Sequence, residues 1–379
     1  MRGDPEQEYF ADGMVEEIIT ALSKVRWFFV VARNSTFMYK DRAVDVKQVG
    51  HELGVRYVLE GSVRKAAGHI RITAQLIETA TGNHIWAERY DREIGDIFAV
   101  QDEITECVLA AIEPQLYAAE HFRIQRKPPE SLDAWECVIR AMSLSSQATL
   151  ASFTAAEELC RRAIAIQPDY GRAHSLLAWV LIRRGTGARN LMPLLTEAIG
   201  EAQIAISLDE QDPWAHLACG FVRFRGRRYP ESERALRQAV ALNPNLGLAH
   251  AALGPVLALQ GEADAAIGHV ERALRLSPGD RFLGFFAALC MTMSQFIAAR
   301  YHDAAVWARK TIELRPEFPD GYRWLIVRGD LIEAAEALAI HRRLVPDYTI
   351  ARAREGQPFA GDAAERFLAA LRKAGMPEE

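Results

Sequence analysis

The chain has 379 residues, half of them hydrophobic and a quarter charged, which is globular composition with room for two or three domains. Its net charge of −5 leaves no basic excess to condense on nucleic acid or anionic lipid, and no apolar run reaches the ~18 residues of a membrane-spanning helix. Five cysteines (Cys107, Cys137, Cys160, Cys219 and Cys290) are odd in number and far apart, so buried free thiols in a reduced, cytoplasmic protein are expected.

The opening GDPEQEYFADG (residues 3–13) reads as a helix start, with Asp4 as cap, Pro5 at the first helical position and Glu6 at the favourable end of the dipole. Phe10, Met14, Ile18, Ile19, Leu22 and Val25 then recur at helical spacing. WFFVVA (27–32) is short and wholly apolar, which suits a strand covered on both faces. Arg33, Asn34 and Ser35 follow its carboxyl end, where open α/β sheets receive ligands; with Tyr39 and Lys40 they make a candidate small-ligand or partner patch. DVKQVGHELGV (45–55) is a second helix, ended by Gly54. Residues 56–65, 69–80 and 84–92 alternate as three strands, the second hairpin turning through Thr81-Gly82-Asn83. A long helix over 96–116 closes an α/β domain expected at 1–125, and 126–131, with Pro128-Pro129, reads as a linker.

From here the chain repeats itself. CRRAIAIQPDY (160–170), LRQAVALNPNL (236–246), VERALRLSPGD (270–280) and ARKTIELRPEF (308–318) are each a helix closing on proline, and EAQIAISLDEQD (201–212) is a fifth copy with Glu210 in the proline position. Glu210 to Pro244 and Pro244 to Pro278 are both 34 residues. Cys219-Gly220 and Leu253-Gly254 provide the small residues for a tight helix crossing, against seams of Ser232, Leu236, Ala239 and of Ala266, Val270, Ala273. This pattern resembles the tetratricopeptide family, with about five to six helix pairs over 132–350. Pro168 to Glu210 is eight residues longer, which predicts a long loop around 183–193; Pro278 to Pro316 is four longer, which predicts one added helical turn. Residues 351–379 are expected as a capping element, with Asp362 as the N-terminal cap of a terminal helix.

The resemblance implies a curved inner face, lined by the first helix of each pair, that binds a peptide or helix. In this register the face carries Trp179, Arg183, Trp214, Phe221, Phe224, Arg225, Phe282 and Phe285, a groove of aromatic and arginine anchors without the Lys/Asn set that clamps a terminal carboxylate. His174, His216 and His250 occupy one position in three successive repeats; with no carboxylate in register they are read as packing, not as a metal site.

The segments DPEQEYFADGMVEEIITALSKV, ARNSTFMYK, VGHELGVRYVLEGSVRK, AQLIETATGNHIWAERYDR and IFAVQDEITECVLAAIEPQL resemble a TolB amino-terminal-like (FlgO-like) domain. The whole chain is similar to the carboxyl-terminal portion of a bacterial family that joins this domain and tetratricopeptide repeats to a class III adenylate cyclase domain or to a winged-helix DNA-binding domain. The resemblance implies a role in signalling and a strand ahead of residue 3, so an unpaired, adhesive sheet edge is expected.

No P-loop, GxGxxG, HExxH or GxSxG motif and no metal-spaced His/Cys set is present. Asp12, Glu16 and Glu17 are expected as a solvated helix-start face, and Glu88, Arg89, Asp91 and Arg92 as strand-end ion pairs. The expected protein is therefore an α+β multidomain chain, a small mixed-sheet α/β domain followed by an all-α solenoid. It is read as non-catalytic, with no cofactor, no metal and no nucleic-acid or membrane partner, and as a scaffold for a protein or peptide. The alternative is the detached regulatory part of a class III adenylate cyclase or winged-helix regulator, and the alternative to the cytoplasm is an origin in tethered relatives with this part facing the periplasm.

Overall fold

The computed structural model describes residues 5–23, 29–40, 42, 44–66, 68–93, 97–124, 127, 132–185, 191–276, 280–328 and 331–379. They fall into two units, Met1–Glu120 and His121–Glu379.

The first unit is a two-layer sandwich of helices on one sheet. Helix α1 (Pro5–Ser23) buries Phe10 and Met14; its expected cap, Asp4, and Val25 lie outside the described residues. The apolar run after it departs from expectation. Trp27 and Phe28 lie outside the described residues, 29–32 is irregular rather than a strand, and Phe29 is 92% exposed. A run of six apolar residues has no alternation to define a strand face, and no neighbouring strand pairs with it among the described residues. Short α2 (Arg33–Phe37) follows, then α3 (Val46–Leu53), where the Asp45 carboxylate accepts the Lys47 N–H at 2.9 Å and Gly54 ends the helix at φ 64°. Gly50 is needed for close approach, since a Cβ there would lie 2.3 Å from the Thr79 Cβ.

Strands β1 (Tyr57–Ala66), β2 (His69–Glu78) and β3 (His84–Glu93) pair in that order, antiparallel throughout. The sheet of the described residues is thus not the mixed one expected, because residues 29–32 contribute no strand to it. Register aligns Val63, Ile72 and Tyr90 across the sheet. Ile70, Ile72, Ala74 and Leu76 fill its inner face, packed with Phe10, Met14 and the Val100, Ile104, Val108 and Ile112 stripe of α4 (Ile97–Ile124). Helix α4 continues two turns past the expected end at 116. The strand-end charges pair as expected: Asp91 with Arg71 and Arg89, Arg92 with Glu103.

The second unit is a solenoid of helix pairs, as the 34-residue spacing requires. The pairs are α5 (Ala134–Ser146) with α6 (Leu150–Ile166), α7 (Gly171–Arg184) with α8 (Met192–Leu208), and α9 (Pro213–Arg225) with α10 (Tyr229–Leu242). They continue with α11 (Gly247–Leu259) and α12 (Ala263–Leu276), α13 (Arg281–Ile297) and α14 (Tyr301–Leu314), and α15 (Pro319–Arg328) and α16 (Leu331–Leu344). Short α17 (Ile350–Gly356) and α18 (Asp362–Lys373) end the chain. Added Cβ atoms at Gly220 and Gly254 would sit 2.5 Å from Leu236 Cγ and 2.4 Å from Val270 Cγ2, so these are the close crossings expected. Helix α13 has 17 residues where α9 and α11 have 13, the predicted extra turn. Of the predicted long loop, 186–190 lie outside the described residues. Asp362 is the first residue of α18 rather than its cap, which is Gly361 at φ 67°. All five cysteines are free, four of them buried.

Candidate functional site

Each pair presents its first helix inward, and the inner residues come from α7, α9, α13 and α15. Trp179 of α7, Phe221 of α9 and Phe286 of α13 meet at ring-centroid distances of 4.5, 5.3 and 5.9 Å. Helices two and three pairs apart therefore touch, and the array curls tightly enough to close its axis. The Arg315 guanidinium near the end of α14 donates to the Ser146 carbonyl at 2.6 Å, tying the fifth pair to the first.

This curling decides where the eight predicted groove residues lie. Trp179, Arg183, Phe221, Phe224 and Phe285 are buried. Trp214, Arg225 and Phe282 are half-buried, and Arg172 stacks on the Trp214 ring at 3.6 Å.

The remaining opening holds the chain's own carboxyl-terminal segment. This segment is the last turn of α17 followed by the irregular residues 357–360, and it lies against the inner helices. Its carbonyl oxygens accept from Arg225 (Gly356, 2.6 Å), from Arg227 (Arg354, 2.8 Å; Gln357, 3.3 Å) and from Tyr229 (Pro358, 3.0 Å). Phe359 is fully buried among Phe296, Trp324 and Phe367 at 5.7–6.2 Å. Phe286, Tyr229, Arg227, Phe296, Trp324 and Phe359 are absent from the predicted set. One signal was available: Phe286 and Trp324 each stand eight residues after a repeat-closing proline, Pro278 and Pro316.

Between this segment and the inner helices lies a cavity of about 50 Å³, walled by Arg183, Arg225, Arg323, Asp320, Phe286 and Gly356 among others. Arg323 pairs with Asp320 and with the Tyr348 hydroxyl. Arg183 stands 5.6–5.8 Å from the rings of Phe153, Phe286 and Phe318, and its Nε and Nη2 have no hydrogen-bond partner among the described residues. Burial lowers the pKa of Arg183 and takes that of Arg225 down to about 10.

The histidine column has a structural task. The Nε2–H of His174, His216 and His250 donates to the carbonyl of Pro168, Glu210 and Pro244, six residues earlier, at 2.9–3.0 Å. Tyr322 does the same to Pro316 at 3.0 Å. Each ring staples a repeat-closing turn to the next helix.

In the first unit the candidate patch and the acidic face are counter-charges. Lys40 pairs with Asp12 at 2.6 Å, Arg33 approaches Glu16 at 4.0 Å and stacks on Phe37 at 4.1 Å, and the Tyr39 hydroxyl donates to Glu52 at 2.6 Å. That hydrogen bond raises the Tyr39 pKa and lowers that of Glu52. Asn34 and Ser35 are exposed. Among the described residues no three His, Cys, Asp or Glu side chains gather as a metal site, and no helix is long and apolar enough to cross a membrane.

No protein-family model matches the chain. Over 239 residues it is 44% identical to a protein of Rhizobium meliloti (strain 1021) named "Putative adenylate cyclase 3"; the match takes in 62% of this chain but only 40% of that protein's length. Among solved structures, PilF of Pseudomonas aeruginosa is similar over 57% of the chain and 93% of its own, with 18% identity and a TM-score of 0.37. The tetratricopeptide protein TTC0263 of Thermus thermophilus is similar over 54% and 99%, with 18% identity and a TM-score of 0.40. At such scores the fold assignment rests on the helix pairs themselves.

Proposed function

We propose that this chain is a non-catalytic protein-interaction module whose solenoid holds an extended peptide on its inner face. One observation carries the reading: the face already holds a peptide, the chain's own 354–359 (the end of α17 and the extended residues after it), through backbone carbonyls on Arg225, Arg227 and Tyr229 and one buried aromatic anchor, Phe359. Backbone capture plus a pocketed ring is how extended peptides are commonly bound. A partner of this chemistry would exchange with the internal segment, reaching Phe224, Arg225 and Trp324; Trp214 and Phe282 form the half-exposed margin.

The test is binding of a labelled REGQPFAG peptide (354–361) to the full chain and to Phe359→Ala. The variant, whose own segment is loosened, is expected to bind at least tenfold more tightly than the unaltered chain. No binding by either protein, with helicity unchanged, overturns the reading.

A second reading has its own support in the relative named as an adenylate cyclase, of which this chain spans about two fifths. In it, the TolB amino-terminal-like unit (1–125) and the repeats (132–350) are the regulatory portion of a cyclic-nucleotide signalling protein, and the Arg33–Lys40 patch is a contact for the output domain. The chain itself is expected to form no cyclic AMP from ATP; measurable turnover would refute its non-catalytic role.

A further inference from the structure

The cavity beneath the carboxyl-terminal segment has an excess of positive charge. Three guanidinium groups, those of Arg183, Arg225 and Arg323, face one carboxylate, Asp320, which Arg323 already engages. Arg183 is 5% exposed and has no carboxylate partner among the described residues, and an unpaired cation is costly to bury. The rings around it at 5.6–5.8 Å offset part of that cost.

The free atoms specify what is missing. Nε and Nη2 form the side-on edge of a guanidinium, two parallel N–H groups matched to two oxygens of one anion. Elsewhere in this protein the same edge grips a carboxylate: Arg71 on Asp91 at 2.6 and 3.3 Å, and Arg309 on Glu333 at 2.7 and 2.9 Å. Among the described residues nothing engages that edge of Arg183, and Arg225 Nε and Arg323 Nε on the same cavity are also unpartnered. The space, about 50 Å³, is several times the ~10–15 Å³ one water occupies and far too small for a nucleotide.

We propose that this cavity is a binding site for a small free oxyanion, gripped side-on by Arg183 and neutralised by Arg225 and Arg323. The site stands apart from the peptide reading above, since the anion lies under the segment that a peptide would replace. Phosphate, sulfate and formate share the required pair of oxygens; chloride does not.

Thermal unfolding of the full chain, titrated with each sodium salt at constant ionic strength, distinguishes them. A saturating rise of several degrees in Tm with one or more of the oxyanions, and none with chloride, is expected, and the anion that acts at lowest concentration identifies the class. Arg183→Met is expected to abolish the rise while leaving Tm in anion-free buffer equal to or above that of the unaltered chain, because the unpaired charge is gone. Arg183→Lys keeps the charge but not the edge, and is expected to raise the half-saturating concentration at least tenfold. Should the Met variant fail to fold, calorimetric titration of phosphate, sulfate and formate into the unaltered chain still decides. Absence of heat and of any Tm rise with all three, a rise equal with chloride, or an undiminished rise in a folded Arg183→Met overturns the proposal.

Discussion

Among the described residues, three that are not glycine hold left-handed backbone at turns within helix pairs: Ala148 at φ 56°, Arg227 at 59° and Ala299 at 60°, while the equivalent turn between α11 and α12 uses Gly261 at 88°. A side chain there costs about 1 kcal/mol. Ala148→Gly and Ala299→Gly are each expected to stabilise by ~0.5–1 kcal/mol, and Gly261→Ala to destabilise by about 1 kcal/mol, read from urea midpoints. Arg227 differs, because its guanidinium holds two carbonyls of the terminal segment. The staples can be measured singly. Tyr322→Phe removes only the hydroxyl that donates to Pro316, and a loss of ~0.5–1.5 kcal/mol is expected; an unchanged midpoint would make that contact incidental.

At the scale of elements, the two close crossings leave no room for a side chain. Gly254→Val sets new methyl groups where Val270 Cγ2 already lies within 2.4 Å of a Cβ, so a loss of at least ~1–3 kcal/mol is expected by denaturant unfolding. These crossings were legible in the sequence because spacing alone identifies them: 34 residues between closing positions, with Gly220 and Gly254 falling at one phase. The added turn of α13 was legible for the same reason. The apolar run at 27–32 was not, since hydrophobicity without period says nothing about pairing. The groove residues were legible as inner residues but not as buried ones. Which helix faces inward follows from the repeat, whereas how tightly the array curls depends on contacts such as Trp179 with Phe286, 107 residues apart, which no local pattern encodes. The internal peptide at 354–359 joins the end of α17 to irregular residues, and its role emerges only from the donors on α9, on α10 and in the turn between them.

Across the whole molecule, stability should depend on mild acid. Burial takes the His250 pKa down to about 4 and that of His341 to about 3, with His269 and Arg272 beside the former and Arg323 beside the latter adding repulsion. Because the unfolded chain takes up these protons near pH 6.5 and the folded chain does not, their contribution is complete above pH 6.5 and declines as pH falls toward 4. Asp91 and Glu233, held low by hydrogen bonds from Arg71 and Arg237, contribute above the ordinary carboxylate range and lose that contribution below it, the same direction. Denaturant midpoints taken from pH 8 to 4 should be flat to about 6.5 and then fall, and His341→Leu should shallow the first part of the fall; a profile flat to pH 4.5 would contradict the buried, neutral histidines.

The extra turn of α13 breaks the equivalence of the pairs. It carries Phe296, whose ring touches Trp324, Phe359 and Phe367 at 5.3–6.2 Å. A run of identical pairs would offer a sliding peptide many interchangeable berths. One lengthened helix gives the array a single address, so the register of anything bound along it is counted from α13.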